Sequence, residues 1–277
     1  MFFESLLHIL YGKGVIAICR IIRNIYALLT ICGILTGCTG DMTYTDTVSE
    51  IPPEIWAQMD QDTREALAEG TKYVALTFDD GPRRETTEVL LDGLKQRGVQ
   101  ATFFVIGTQI GCVGNEDLLL RMRDEGHQIG NHTYSHVRLQ TARRETILEE
   151  IQKNEVIIQE ILGPGEYWLR PPYGMIGNKQ CDLVKTPMIY WSLDPEDWKV
   201  LDAKTVSDFV VEKIQDGDIV LLHDFYPSSV EAALEIIDRL QPEGYVFVTV
   251  EELFRIKGIT PEVGVLYASP CQIRNTK

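Results

Sequence analysis

The sequence has 277 residues, of which 44% are hydrophobic and 24% are charged, so the chain is long and apolar enough to bury a core. Its glycines and prolines follow no repeat and apolar residues are plentiful, which excludes a collagen-like chain, a coiled coil and a disordered chain. The 41 acidic residues outnumber the 26 basic ones, and the resulting net charge of -15 would repel a phosphate backbone. We therefore expect no nucleic-acid partner. The six cysteines form no CxxC pair and no dense cluster, so neither a zinc knuckle nor a disulfide scaffold is indicated.

The N-terminus resembles a bacterial lipoprotein signal. Basic residues precede an apolar run from Ile25 to Leu35, and this run leads into the sequence Leu-Thr-Gly-Cys that ends at Cys38. The run is short for a membrane span, which needs about 20 residues. The resemblance implies a signal peptide over residues 1–37, cleavage before Cys38 and lipidation of that cysteine. The folded domain is then expected outside the cytoplasm, anchored by lipid to the bacterial cell membrane.

The alternative interpretation of this segment is an uncleaved signal anchor from Val15 to Leu35. It places Arg20 and Arg23 inside the span. Charged side chains are costly in a bilayer, so we favour the lipoprotein signal. Both interpretations put the bulk of the chain outside.

Two further segments precede the predicted domain. Residues 38–53 are polar and rich in threonine and aspartate, which is typical of a tether. Residues 54–72 are predicted to form a leading helix segment.

Strand and helix patterns alternate after this point. Seven short apolar or β-branched runs predict strands, namely Tyr73–Phe78, Ala101–Ile106, Gln128–Gly130, Tyr167–Arg170, Met188–Ser192, Asp218–Leu222 and Val246–Val250. Helical patterns between them are Glu85–Arg97, Glu116–Glu125, Arg143–Leu162, Thr205–Gln215 and Val230–Leu240. This alternation indicates a parallel α/β sheet. Because no glycine-rich dinucleotide turn is present, we favour a closed or nearly closed barrel over an open doubly wound sheet.

Reactive side chains follow five of the predicted strands. In chain order they are Asp79, Asp80, His132, His136, Arg170, Asp194, Asp197, His223 and Asp224. The carboxyl ends of parallel barrel strands converge at one rim, where barrel enzymes carry their active sites. The sequence therefore predicts a site assembled from five loops.

Two pairs in this set have side chains suited to a metal site. His132 and His136 are four residues apart, which puts both imidazoles on one face of a helical turn and within reach of one ion, although such pairs also occur on solvated surfaces. Asp79 and Asp80 are adjacent at a strand end, so one carboxylate can bind an ion while the other approaches a bound water. The alternative for these aspartates is a helix cap, since a Gly-Pro turn and a helix follow.

Five motifs in order resemble those of the polysaccharide deacetylases, the NodB-homology group of metal-dependent carbohydrate de-N-acetylases and esterases, also called carbohydrate esterase family 4. They are Thr77–Pro82, His132–His136, Arg170–Gly174, Asp194–Trp198 and Leu221–His223. The resemblance covers residues 73–257 and leaves residues 258–277 as a C-terminal tail. It implies a distorted, TIM-barrel-like (β/α)7 barrel, in agreement with the seven predicted strands.

The resemblance also implies a metal site and two residues that transfer protons. It assigns Asp80, His132 and His136 to one divalent metal, with Zn²⁺ expected first and Co²⁺, Ni²⁺ or Mn²⁺ compatible with the mixed donor set. It assigns Asp79 as general base and His223 as general acid.

Five more residues receive supporting roles from the resemblance. Arg170 orients the base carboxylate, and Asp197 pairs with the acid histidine. Trp198 and Leu221 wall a pocket for the acetyl methyl group, and the backbone N–H of Tyr173 helps to hold the oxyanion. Core packing is the alternative for Trp198 and Leu221.

We therefore expect a surface-anchored hydrolase that removes N-acetyl groups from amino sugars of a cell-wall or chitin-like polysaccharide and releases acetate. One alternative is an esterase that acts on O-acetyl groups, as in acetylated xylan. A second alternative is a non-catalytic, glycan-binding lipoprotein. Degenerate motifs would indicate the latter, whereas every proposed metal and proton-transfer position here holds a competent residue type.

Overall fold

The computed structural model describes residues 71–112 and 114–274. The predicted signal peptide, Cys38, the tether and nearly all of the leading helix segment lie outside these residues. From Lys72 onward the described chain belongs to one compact unit. Within it, no helix combines the length and the apolar character needed to cross a bilayer.

Strands and helices alternate along the described chain. The strands are β1 (Lys72–Asp79), β2 (Thr102–Val105), β3 (Gln128–Asn131), β4 (Met188–Ile189), β5 (Ile219–His223), β6 (Tyr245–Phe247), β7 (Leu266–Ser269) and β8 (Gln272–Ile273). The helices are α1 (Arg84–Gln96), α2 (Gly107–Ile110), α3 (Glu116–Asp124), α4 (Arg144–Leu162), α5 (Asn178–Cys181), α6 (Asp197–Val200), α7 (Ala203–Lys213), α8 (Pro227–Leu240) and α9 (Val250–Ile256). Short 3-10 turns lie at Leu139–Thr141, Pro172–Gly174 and Gln241–Glu243.

Parallel pairing closes the strands into a ring. The order β3-β2-β1-β5 forms a continuous parallel sheet, and β6 pairs with the first half of β1. Parallel bridges join Asn131 to Leu169, Leu169 to Met188 and Leu193 to Val220, so the segments around residues 169 and 188–193 link β3 back to β5. All seven predicted strand regions therefore take part in parallel pairing.

Successive side chains of β1 face opposite sides of this ring. Val74, Leu76 and Phe78 belong to the largest apolar cluster, which also contains buried residues of α1 and α8. Ala75 belongs to a separate cluster inside the ring with residues of β2, β5 and β7. Side chains alternate along a strand, so Thr77 and Asp79 share the inward side with Ala75.

The helices predicted from sequence are present as α1, α3, α4, α7 and α8, with small shifts at their ends. The start of α8 lies three residues earlier than predicted, at Pro227. Proline has no backbone N–H and a fixed φ near the helical value, and both properties suit the first position of a helix.

The predicted strand Val246–Val250 requires a correction. β6 ends at Phe247, and Val250 is the first residue of α9. The Thr249 hydroxyl accepts a hydrogen bond from the backbone N–H of Glu252 at 3.2 Å, which caps the new helix. A short apolar run does not distinguish a strand from the start of a buried helix.

The C-terminal segment contributes two strands that the sequence did not indicate. β7 pairs in parallel with β4, and β8 pairs antiparallel with β7. Part of the segment first described as a tail thus extends the sheet.

Candidate active site

The end of β1 presents two adjacent carboxylates in different directions. Asp79 is the last residue of the strand and is buried, whereas Asp80 leaves the strand with a φ of 73°. Asp79 is the register partner of His223 on the neighbouring strand β5. The carboxyl ends of β1 and β5 therefore bring an aspartate and a histidine side by side.

Neither aspartate caps the helix that follows. The residue that precedes α1 is Arg83, and no side-chain cap is present at this helix start. The helix-cap alternative for Asp79 and Asp80 is therefore not observed.

The two histidines of the second motif lie in a loop, which corrects the predicted helical turn. Thr133 and His136 have positive φ values of 66° and 60°. The Asn131 side chain accepts from the Thr133 N–H at 2.8 Å, and the Thr133 hydroxyl accepts from the His136 N–H at 3.1 Å. These local side-chain bonds offer the backbone an alternative to a helix. The imidazoles still meet, with ring centroids of His132 and His136 5.0 Å apart.

Asp80, His132 and His136 form a candidate metal site. The Oδ1 atom of Asp80 lies 3.5 Å from Nε2 of His132 and 3.3 Å from Nε2 of His136. One potential ligand atom from each residue lies within 4.8 Å of the other two. The Asp80 Oδ1 atom is buried and has no hydrogen-bond partner among the described residues. A buried carboxylate oxygen between two imidazoles fits a divalent cation.

The hydrogen bonding of His132 and the surroundings of His136 suit metal binding. Nδ1 of His132 lies 2.7 Å from the carbonyl oxygen of Arg170, which can only accept, so Nδ1 is the donor and Nε2 is the ring nitrogen that faces the candidate site. Burial lowers the pKa of His136, and the adjacent His132 lowers it further, although Asp80 and Asp79 oppose the shift. A neutral imidazole is the form that binds a metal.

Arg170 crosses the inside of the ring and holds Asp79. It is fully buried, and its Nη1 atom donates to Oδ1 of Asp79 and to the hydroxyl of Thr77, both at 2.7 Å. Nη2 donates to the Tyr190 carbonyl at 2.8 Å, and the guanidinium lies 4.0 Å from the ring centroid of Phe104. Burial lowers the pKa of Arg170, and the charge and hydrogen bond of Asp79 oppose this shift. The other Asp79 oxygen, Oδ2, lies on the histidine side, 3.6 Å from Nε2 of His132.

Asp197 binds His223 through both of its carboxylate oxygens. Oδ1 lies 2.8 Å from Nδ1 of His223, and Oδ2 accepts from the His223 backbone N–H at 2.8 Å. The opposite ring nitrogen, Nε2, faces the site, 4.0 Å from Oδ2 of Asp80. Burial alone would lower the pKa of His223, but the hydrogen bond and charge of Asp197, together with Asp79 and Asp80, raise it to about 9. The imidazole is therefore charged at neutral pH.

The three residues predicted to contact substrate differ in exposure. Tyr173 has a φ of 60° and is 51% exposed, with its ring centroid 4.6 Å from that of His136. Trp198, on the short helix α6, is 48% exposed. Leu221, on β5, is buried at 3% exposure, and α6 contacts β5. Tyr173 thus lies at the site, and Trp198 offers a free aromatic surface.

Thr77 is also part of the site, although no pattern in the sequence assigned it a role. Its hydroxyl accepts from Arg170 and donates to the Val220 carbonyl at 2.6 Å. Thr77 lies two residues before Asp79, on the same side of β1. The period of two along a strand could have indicated this position.

The chain is similar to known deacetylases over most of the described region. A sequence model of the family described as "Polysaccharide deacetylase" matches residues 67–186. The chain is 40% identical over 193 residues to the peptidoglycan-N-acetylmuramic acid deacetylase PdaC of Bacillus subtilis, with 70% of this chain and 41% of that protein covered. It is 38% identical over 189 residues to a peptidoglycan-N-acetylglucosamine deacetylase of Bacillus cereus, with 66% and 68% covered. The chain spans about two fifths of the length of the larger relatives, PdaC and PgdA of Listeria monocytogenes.

Solved structures show the same fold. Peptidoglycan deacetylase PdaC from Bacillus subtilis is similar with a TM-score of 0.66 and 40% identity, covering 68% of this chain and 93% of that one. A family 4 acetyl xylan esterase from Clostridium thermocellum, in complex with a cobalt ion, is similar with a TM-score of 0.69 and 34% identity, covering 73% and 100%. The predicted α/β fold of the distorted (β/α)7 barrel type is confirmed. The chain therefore belongs to the polysaccharide deacetylase family, of the NodB-homology and carbohydrate esterase family 4 type.

Proposed function

We propose that this chain is a metal-dependent hydrolase that removes N-acetyl groups from amino sugars of a cell-wall polysaccharide and releases acetate. One observation carries the proposal. A candidate metal site of three residues, a buried carboxylate and a histidine paired with an aspartate converge at the carboxyl ends of the barrel strands. The relatives named as peptidoglycan deacetylases support the substrate class.

Asp80, His132 and His136 would hold the ion, and we expect zinc. When bound, a divalent cation polarises the acetyl carbonyl and lowers the pKa of a water molecule. The donor set is one carboxylate and two imidazoles, which leaves positions open for water and substrate. Cobalt, nickel and manganese remain compatible with these donors, and cobalt is present in one solved relative.

Asp79 would act as the general base. Arg170 occupies Oδ1 of Asp79, which leaves Oδ2 to accept a proton from the attacking water. The second hydrogen bond of Arg170 Nη1, to Thr77, fixes the guanidinium and therefore the carboxylate. A fixed base loses less entropy when the transition state forms.

His223 would act as the general acid. Asp197 fixes the proton on Nδ1 and favours the imidazolium, so Nε2 carries the proton that the leaving nitrogen needs. The register pairing of Asp79 with His223 places the base and the acid on neighbouring strands of one rim.

Three residues would bind the substrate around this centre. The exposed indole of Trp198 and the buried side chain of Leu221 would enclose the acetyl methyl group. The backbone N–H of Tyr173 would donate to the oxyanion that forms during water attack. Tyr173 has a left-handed backbone conformation, and its ring contacts that of His136. Both observations support the proposal that the Tyr173 N–H lies near the candidate metal site.

Acetate release tests the proposal. The full chain with zinc is expected to release acetate from peptidoglycan or from N-acetylglucosamine oligomers, and Asp79→Asn is expected to abolish release while still binding zinc. Asp202→Asn is a matched control, because Asp202 is an exposed carboxylate that caps α7. If no acetate appears from these substrates or from acetylated xylan, the enzymatic proposal is wrong.

A second candidate activity is the hydrolysis of O-acetyl esters. A bifunctional xylanase/deacetylase of Pseudobutyrivibrio xylanivorans is 36% identical, and one solved relative is an acetyl xylan esterase. Acetate release from acetylated xylan that exceeds release from chitooligosaccharides would favour this activity. A purely glycan-binding role is disfavoured, because every metal and proton-transfer position retains its side chain and these side chains converge.

We further propose that the domain acts outside the cytoplasm and is anchored to the cell membrane through a lipid on Cys38. The Leu-Thr-Gly-Cys sequence after a short apolar run supports this anchor. Relatives that act on peptidoglycan support an extracytoplasmic location.

A further inference from the structure

Asp224 is a buried carboxylate that the proposed reaction does not use. It follows His223 directly and is 1% exposed. One of its oxygens, Oδ1, has no hydrogen-bond partner among the described residues. Burial raises the pKa of Asp224 to about 7, opposed by a hydrogen bond from Thr87. A buried acid with an unpaired oxygen is costly, so packing alone does not account for it.

The carboxyl group of Asp224 lies directly against the turn that carries Asp80. A Cβ atom added to Gly81 would lie 2.7 Å from Cγ of Asp224, which is closer than side-chain atoms approach one another. Gly81 is the residue after Asp80 in the chain. The Asp224 side chain therefore limits how far the backbone at Asp80 and Gly81 can move toward it.

Thr87 fixes the other side of the same carboxyl group. The Thr87 hydroxyl donates to Oδ2 of Asp224 and accepts from the backbone N–H of Arg83 at 2.8 Å. Arg83 ends the turn that begins at Asp80, so Asp224 lies against this turn at Gly81 and is linked to its last residue through the Thr87 hydroxyl. This connection runs from the loop of the metal ligand to the loop of the acid histidine.

We propose that Asp224 is a positioning residue that sets the Asp80 carboxylate relative to His223 through its contact with Gly81 and its hydrogen bond with Thr87. The inference rests on the proposed metal-dependent function. What matters in this role is the shape of the side chain and its ability to accept a hydrogen bond. A neutral isostere, asparagine, is therefore expected to replace it.

The first test measures metal binding without substrate. Zinc affinity of the full chain is measured by competition with a chromophoric chelator, cobalt binding by its absorption spectrum, and folding by urea denaturation. Asp224→Ala is expected to weaken zinc binding about tenfold and to alter the cobalt spectrum, as loss of a residue that orients a metal ligand does. Asp224→Asn is expected to bind like the unchanged chain, and in turnover Asp224→Ala should lower kcat with little change in KM.

A second pair of variants tests the hydrogen bond from Thr87. Thr87→Val removes the hydroxyl with little change in shape and should weaken zinc binding. Thr86→Val is the matched control, because Thr86 is also buried at the start of α1 but bonds to the Arg83 carbonyl instead. If Asp224→Ala does not fold, weaker binding in Thr87→Val alone supports the proposal and equal binding in both threonine variants overturns it.

A double-mutant cycle tests the contact with Gly81. Gly81→Ala should weaken zinc binding because its Cβ meets the Asp224 carboxyl group, and Asp224→Ala removes that obstacle. The double variant is therefore expected to lose about tenfold in affinity rather than about 100-fold. Losses that multiply, or a folded Asp224→Ala variant with unchanged zinc affinity and unchanged kcat, would overturn the inference. If the chain binds zinc but releases no acetate, the proposed function is wrong. The zinc-binding measurements would still test the positioning role of Asp224.

Discussion

The guanidinium of Arg170 and the carboxylate of Asp79 form an ion pair at 2.7 Å that is almost completely shielded from water. The same Nη1 atom also bonds to Thr77, the preceding inward residue of β1. Side chains two residues apart on a strand point to the same side, so Thr77 and Asp79 can both accept a hydrogen bond from Nη1 of Arg170. The pair links the segment after α4, which carries Arg170, to the strand that carries the proposed base.

Replacing Arg170 should damage both folding and catalysis. Arg170→Met leaves Asp79 buried without its partner, and loss of one member of a buried ion pair costs about 3 to 5 kcal/mol of unfolding free energy. Arg170→Lys keeps a charge but has one nitrogen in place of the two that bond to Thr77 and Asp79 and to the Tyr190 carbonyl, so it should remain folded with a reduced kcat. Urea denaturation and acetate release measure the two effects.

Arg255→Lys is a suitable control, because Arg255 forms a solvent-exposed pair with Glu252. Exposed pairs contribute little to stability, so this variant should match the unchanged chain. An Arg170→Lys variant with full kcat would show that the fixed orientation of Asp79 is not required.

Asp197→Asn should change the pH dependence of the reaction. Burial alone would lower the pKa of His223, but Asp197, together with Asp79 and Asp80, raises it to about 9, so a neutral residue in place of Asp197 lowers that pKa. The proposed acid must be protonated, and activity is lost as pH rises through the pKa of His223. The alkaline limb of the profile of kcat/KM against pH should therefore move to lower pH in Asp197→Asn.

The comparison uses zinc-loaded chains and includes Asp202→Asn, in which a remote exposed carboxylate is neutralised. That control should leave the alkaline limb in place. Superimposable profiles for Asp197→Asn and the unchanged chain would exclude His223 as the acid that Asp197 supports.

Trp198→Ala and Leu221→Ala should separate substrate binding from packing. Trp198 is about half exposed, so its removal should lower kcat/KM about tenfold, equal to about 1.4 kcal/mol, with a small change in stability. Leu221 is buried, so its truncation should also cost about 2 to 5 kcal/mol of unfolding free energy. If Trp198→Ala releases acetate at the normal rate at limiting substrate, the indole does not bind the acetylated sugar.

Lipid attachment at Cys38 is tested by metabolic labelling of the full chain with a fatty-acid analogue. The unchanged chain should be labelled, Cys38→Ala should not be labelled, and Cys32→Ala should keep the label because Cys32 lies in the segment that is removed. Equal labelling of the unchanged chain and Cys38→Ala would favour the uncleaved signal anchor.

The sequence predicted the elements whose patterns are local and strong. The alternation of apolar runs with helical patterns anticipated β1, α1, α4 and α8, because period and length determine these elements without tertiary context. The boundary between β6 and α9 was missed because one apolar run contains both. β7 was missed because a strand of four residues is stabilised by its pairing with β4 more than by its own sequence.

The location of the candidate site was predicted from the strand topology more than from the spacing of residues in the sequence. Asp79 and His223 end parallel strands, Asp80 directly follows Asp79, and the carboxyl ends of parallel barrel strands converge whatever the loops do. The spacing of His132 and His136 pointed to two imidazoles that do meet at the candidate metal site, but the predicted helical turn was wrong, because side-chain hydrogen bonds of Asn131 and Thr133 hold this segment as a loop. The roles of Thr77 and Asp224 depend on contacts with residues more than 90 positions away, and no local pattern contains that information.

The position of a bound metal decides whether Asp80, His132 and His136 form the metal site. Crystals of the full chain grown with zinc are measured by anomalous diffraction at the zinc absorption edge. We predict one peak per chain, about 2.0 to 2.2 Å from a carboxylate oxygen of Asp80 and from Nε2 of both His132 and His136, with Oδ2 of Asp79 facing the open side. A zinc peak elsewhere, or no peak at these three residues at saturating zinc, would contradict the proposed site and the hydrolysis derived from it.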